Sequence, residues 1–300
     1  MKVYGSAAAN ERTDDILLVT EQRTNRIMAL DVGLEWSDSK ACLWSWAPEE
    51  DKAVPQIHKP WFALLNEVKP IAESSKLLVT ASGGAVAIVD IERAAATWYT
   101  YVGGNPHSAA MTNDGTVLCV ASDGNMLGAF RSEESATGPA QVLRLSDAHG
   151  VCFEPRSCQV IALGGQKAIV LSWDDGASGG SWLTVQREVL LPCSSGSSKR
   201  VYPGGHDLAP SGRLPGRYYV SDLDFLWLLD VEGARFEPFP VHGRTSDIKS
   251  ISERVSDART VVVRAAEQWW SDTVEEIPGP RRWKLPDSRI YKARWLNGDH

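Results

Sequence analysis

Three of the six histidines in this 300-residue chain open look-alike segments, HSAAM from His107, HGVCF from His149 and HDLAP from His206. Three related segments are EVKPI from Glu67, DIKSI from Asp247 and YKARW from Tyr291. Their first residues lie 40, 42, 57, 41 and 44 positions apart. Every one of these six residues can ionise or hydrogen-bond, whereas a repeat position used only for packing would be apolar or small. Imidazoles converging from neighbouring repeats are the usual nitrogen ligands of a divalent ion, and equally the usual general bases. The expected metal set is His107, His149 and His206, with Glu67 or Asp247 completing the shell. The bland reading is that each histidine ties down a loop.

Two residues beyond the first and fifth of these positions stand Lys69 and Lys249, on the same strand face by the two-residue period. They are expected to neutralise a substrate carboxylate or a developing oxyanion, with Arg294 or Lys292 adding a cation. Tyr291 is the expected proton donor or acceptor, provided a nearby cation lowers its pKa. Glu67, Asp247, Gln22, Arg23, Gln268 and Arg294 are candidate substrate contacts. So is Trp61, which precedes one of the segments and could stack on a sugar ring. The other eleven of the twelve tryptophans read as packing.

A periodicity of 40–45 residues is that of a propeller blade. Between the segments run short stretches rich in Val, Ile and Leu, such as Lys76–Ala81 and Ala85–Ile91, separated by turn tokens such as NDG and SDGN. This is the pattern of antiparallel strands joined by tight hairpins. The long step is accounted for by Gly/Ser-rich insertions at 174–181 and 193–200. The last segment has no strands after it, while Ile16–Thr20, Arg26–Asp31 and Cys42–Trp46 have no segment before them. Joining the two ends makes a sixth blade. The expectation is an all-β, single-domain (1–300) six-bladed β-propeller, its last blade closed by the C-terminal strand with three N-terminal strands.

Composition excludes several classes. The net charge is −7, which disfavours a nucleic-acid partner. No apolar run is long enough for a membrane-spanning helix. GGNP at 103–106 and PGGH at 203–206 are not phosphate loops, so no nucleotide cofactor is expected, only a divalent ion. The five cysteines form no CxxC pair; Cys152 with Cys158 could close one hairpin, but the favoured reading is buried small hydrophobes. Met1–Asn10 lacks an apolar signal core; a secreted protein is expected if this is a mature start, a cytoplasmic one otherwise.

The ordered motifs VGGNPHSA, AHGV, GGHDL, SDIKS, WWSDTV and YKARW resemble an uncharacterised family of microbial six-bladed propellers, over nearly the whole chain. That resemblance implies the fold and no activity. In arrangement alone the histidines are also similar to propeller lyases acting on uronic-acid polymers. The expected function is a carbohydrate-active lyase, isomerase or hydrolase, monomeric, taking a small molecule or oligosaccharide at the channel mouth. The alternatives are a non-catalytic propeller that binds a glycan or metabolite or a partner protein, and a secondary-metabolism cyclase or isomerase.

Overall fold

A computed structural model describes residues 15–71, 75–133, 138–174, 182–193, 202–239 and 244–298. Of the expected insertions at 174–181 and 193–200 all but the first residue of each, like Met1–Asn10, lie outside the described residues. Alternating apolar runs and tight turns form 24 strands in six four-stranded antiparallel sheets. Blade 1 holds β1 (Ile16–Glu21), β2 (Arg26–Asp31) and β3 (Cys42–Trp46), and its innermost strand is the last of the chain. Blade 2 holds β4 (Leu65–Ile71), β5 (Lys76–Ala81), β6 (Ala85–Asp90) and β7 (Ala95–Tyr101). Blade 3 holds β8 (Pro106–Met111), β9 (Val117–Ala121), β10 (Met126–Phe130) and β11 (Gln141–Arg144). Blade 4 holds β12 (Gly150–Glu154), β13 (Gln159–Leu163), β14 (Lys167–Trp173) and β15 (Leu183–Leu190). Blade 5 holds β16 (Asp207–Pro210), β17 (Arg217–Ser221), β18 (Leu226–Asp230) and β19 (Arg235–Pro238). Blade 6 holds β20 (Ile248–Glu253), β21 (Thr260–Arg264), β22 (Thr273–Ile277) and β23 (Arg282–Lys284). β24 (Ile290–Trp295) pairs with β1 and closes the ring, as the sequence pattern predicts. No sheet edge is then left open at the chain ends.

The core sits mainly between blades. In blades 2 to 5 the second and third strands are buried on both faces, and residues such as Leu118, Val120 and Ala129 pack on Val151, Val160 and Leu171 of the next blade. Their runs are therefore continuously apolar rather than alternating. Cys119 and Cys152 are buried in this core, and all five cysteines are free thiols, so Cys152 and Cys158 form no disulfide.

Because neighbouring strands are antiparallel, the turns after each second strand lie at the same end of the propeller as the starts of the innermost strands. At that end four innermost strands carry a bulge. Leu65 pairs with Ala81 and Glu67 with Thr80, leaving Asn66 without a partner. His107 and Lys249 are extra in the same way between Pro106 and Ser108 and between Ile248 and Ser250. In blade 1, Tyr291 and Lys292 fall between the pairs Glu21–Ile290 and Val19–Ala293. A bulge breaks the strict alternation of sides, so two adjacent residues can both reach the axis.

Candidate functional site

The bulges correct the alignment of the repeats. The true equivalents are Asn66, His107, His149, His206, Lys249 and Tyr291, spaced 41, 42, 57, 43 and 42 positions apart. In blades 4 and 5 the backbone N–H groups of His149 and His206 donate to Leu163 and Ser221, just before β12 and β16 begin. Glu67 lies one position deeper than expected and Asp247 two positions further out. The residue at that outer position has a left-handed backbone in five of the repeats, at Leu64 (φ 56), Asn105 (φ 61), Asp147 (φ 52), Gly204 (φ 66) and Asp247 (φ 62). That shared kink marks the register better than the residue types do.

The three imidazoles come together as expected. The rings of His107 and His149 stack with centroids 4.3 Å apart, and those of His149 and His206 lie 4.9 Å apart. Tyr291 reaches across the axis, its hydroxyl 3.1 Å from Nδ1 of His107 and 3.2 Å from Nε2 of His206. Asn66 is occupied otherwise: its amide donates to the Pro106 carbonyl and accepts from Gln22 and Ser82.

These contacts settle the protons. His149 Nδ1 lies 2.9 Å from the carbonyl of Asp147, which can only accept, so Nδ1 carries the proton and Nε2 the lone pair. Nδ1 of His206 is buried and has no partner among the described residues. A buried donor left unmade costs more than a bare acceptor, so that nitrogen is the unprotonated one. Nε2–H of His206 then donates to the Tyr291 oxygen, the phenol donates to Nδ1 of His107, and Nε2 of His107 holds a proton.

Burial, neighbouring imidazoles and the charges of Lys249 and Lys292 hold His107 and His206 well below the ordinary histidine range. His149 is lowered too, chiefly by burial and against the pull of Asp147. All three are neutral near pH 7. Tyr291 goes the other way from the expectation. Burial, reinforced by Asp207 and Glu67, raises its pKa well above 10, so it stays a neutral phenol.

Beneath this layer the axis is sealed by an ion cluster. Lys292 Nζ lies 3.1 Å from Glu67 and 2.8 Å from Asp207. Arg294 meets the same two carboxylates at 2.7 Å each and donates to the Ile251 carbonyl. Lys69 donates to Ser108 Oγ and the Val151 carbonyl. Despite burial, Arg294 and Lys292 pull Glu67 down to about 2 and hold Asp207 lower still. Ser108, Gly150 and Ser250 occupy the level of Glu67, Asp207 and Lys292 and leave room for these longer side chains.

The structure therefore moves several expected contacts. Glu67, Arg294 and Lys69 are buried in the cluster, where no ligand at the mouth can touch them. Lys249 alone of the expected pair stands at the histidine level. Its pKa is lowered, mainly by burial, and it makes no hydrogen bond or ion pair among the described residues. Asp247 pairs with Arg244. Gln22 is buried, bridging the Leu65 carbonyl, Asn66 and Trp269. Arg23 is held by Asp287 on the surface. Gln268 is an exposed turn residue with φ 52. Trp61 stacks on His58 at 3.8 Å and packs against Tyr99 and Tyr101 of β7, the outermost strand of its blade, rather than at the rim of the axis.

The metal expectation fares poorly on geometry. Among the described residues no group of three or more His, Cys, Asp or Glu side chains is arranged to hold a metal ion. His107 and His149 stack face to face, and a cation among them would meet Lys249 and Lys292. Along the axis Lys69, Lys249, Lys292 and Arg294 outnumber Glu67 and Asp207. The residues present do not fit a divalent ion; their field favours an anion.

Comparison with known proteins agrees on the fold. The matching family model covers residues 11–299. The chain belongs to the family of unknown function DUF6528. No curated protein matches the sequence. Among solved structures the chain is similar to "Dihydro-heme d1 dehydrogenase NirN in complex with DHE", with TM-score 0.51 and 12% identity over 94% of this chain and 53% of that one. The chain thus spans about half the length of that dehydrogenase. It is also similar to a chain of a mitotic checkpoint complex, with TM-score 0.57 and 10% identity over 94% of this chain and 78% of that one. At these identities the likeness shows the propeller alone. The signals missed in the sequence were Asn66, one residue before Glu67, and Asp147, two residues before His149; Asp207, read from its place beside His206 as a loop or supporting residue rather than a ligand, is a member of the axial ion cluster.

Proposed function

We propose that the histidine end of the propeller is the active site of a carbohydrate-active enzyme that moves a proton on an acidic sugar, by elimination or isomerisation. The observation that carries this reading is the pairing of a fixed base with a cation, Lys249, that makes no ion pair among the described residues. His149 presents a lone pair at Nε2, its Nδ1–H is anchored on the Asp147 carbonyl, and the Asp147 carboxylate lies 3.3 Å from Nδ1, where it stabilises the imidazolium that forms. Lys249 stands at the same level as a seat for the substrate carboxylate. His149 Nε2 takes the proton from the carbon next to that carboxylate. The electron pair passes into the carboxylate, where Lys249 holds the added charge. The pair then either returns to carbon with a proton or forms a double bond as the neighbouring substituent leaves, protonated by water. Hydrolysis is the next reaction class to assay.

The test is turnover of uronate-containing oligosaccharides, read as a new carbon–carbon double bond or an epimer, by the natural sequence and by His149→Gln. The variant is expected to lose at least about a hundredfold in rate, the usual share of a general base. Full turnover by the variant overturns the proposal. Saturation of the Tyr291 hydroxyl by two imidazoles favours a second reading, a site that holds a glycan without transforming it. Tight binding with no turnover by the natural sequence identifies that case.

A further inference from the structure

Two exposed aromatic side chains outside the ring are each keyed to it by a hydrogen-bond chain. Trp269, 43% exposed in the turn between β21 and β22, donates its indole N–H to Gln22 at 2.9 Å. Gln22 in turn donates to Asn66 at 3.1 Å. Tyr202, 39% exposed on the approach to β16, donates its hydroxyl to Asp147, whose carbonyl holds His149. Both stand at the end of the propeller where Lys249 lies, and Trp269 belongs to the same blade. An exposed indole fixed by its polar edge offers a bare face to a ligand. Its position is set by the same network that fixes the ring residues.

We infer that Trp269 and Tyr202 form the specificity-determining rim of this site, and that it takes a small cyclic carboxylate: the anionic group on Lys249, the flat apolar face of the ring against the aromatics. This rests on the reading of the mouth as a small-ligand site and names what the ligand must carry. A uronate and a neutral glycoside differ in the carboxylate, a uronate and a simple acid in the ring, so the two comparisons separate the seat from the rim.

The test is calorimetric binding of three probes to the full chain: methyl glucuronide, methyl glucoside and acetate. The natural sequence is expected to bind the glucuronide more tightly than either other probe. Trp269→Ala weakens the glucuronide about tenfold, the worth of one ring contact, and leaves acetate unchanged. Trp269→Phe keeps the face, gives up the bond to Gln22 and restores most of the affinity. Tyr202→Phe likewise stays near the natural value, and Tyr202→Ala does not. Lys249→Met abolishes binding of both anions. Equal affinity for glucuronide and acetate, no binding of glucuronide, or an unchanged glucuronide affinity in Trp269→Ala and Tyr202→Ala overturns the inference. Binding without turnover leaves the rim standing and removes only the catalytic reading.

Discussion

Asp147 holds His149 twice, its carbonyl oxygen 2.9 Å and its carboxylate 3.3 Å from the same ring nitrogen. The carbonyl sets the tautomer and the carboxylate sets the charge preference. Asp147→Asn separates the two roles, since asparagine tolerates the left-handed backbone found there. The variant keeps Nε2 as the unprotonated nitrogen and gives a histidine that is harder to protonate. Nitrogen chemical shifts of His149 read both properties. An unchanged titration would show that the carboxylate does not act on the ring.

Stability depends on pH in a defined direction. His107, His149 and His206 have folded pKa values below the ordinary 6.5. Below pH 6.5 the unfolded chain therefore binds protons that the folded chain refuses, and stability falls as the pH drops. Each imidazole adds a slope of up to about 1.4 kcal/mol per pH unit in that window. Urea unfolding between pH 7 and 5 measures it, and replacing all three histidines by glutamine should flatten the curve. A slope that survives the replacement belongs to other groups.

The axial cluster makes single and paired substitutions diverge. Glu67→Gln leaves Arg294 and Lys292 short of a buried counter-charge and should cost about 3–5 kcal/mol. Glu67→Leu with Arg294→Met removes charges of both signs and should cost less than the sum of the two alone. A double-mutant cycle in urea decides it; strict additivity would mean that the pair is uncoupled.

Lys249→Met should raise the melting temperature while it abolishes anion binding. The lowered pKa of Lys249 means that the fold disfavours its charge, and burial is the main cause. A stability cost kept at a functional position is the usual trade. A lower melting temperature in the variant would assign Lys249 a structural role.

Gly150→Ala tests the packing of the axial layer. A Cβ there would stand 2.5 Å from Cβ of Leu208 in the next blade. Overpacking of this kind costs about 1–3 kcal/mol, and a variant as stable as the natural sequence would show that the blades can part without strain.

The blade count, the closure and the meeting of the three imidazoles were legible in the sequence, because apolar runs and turn residues recur with the blade. The register at the axis was not. A bulge adds a residue without changing the apolar pattern of the strand, so Glu67 and Asp247 passed for equivalents of the histidines while Asn66 and Lys249 held those positions. The fate of Glu67, Lys69 and Arg294 was hidden for a related reason. A charged residue near an axis reads as a contact for substrate until its partner is known, and Asp207 and Glu67 come from blades far apart in the chain. Trp61 was favoured over Trp269 by its place before an innermost strand, yet a short 3-10 helix, Gln56–Phe62, turns it onto His58.

One strand does three jobs at once. β24 latches the circle against β1, supplies the phenol that bridges His107 and His206, and carries both Lys292 and Arg294. Since translation delivers it after all the others, a growing chain holds five finished sheets and one unfinished, with bare carboxylates at the hub and no bridge between the imidazoles. Closure of the ring and completion of the histidine layer must therefore arrive together, with the last strand.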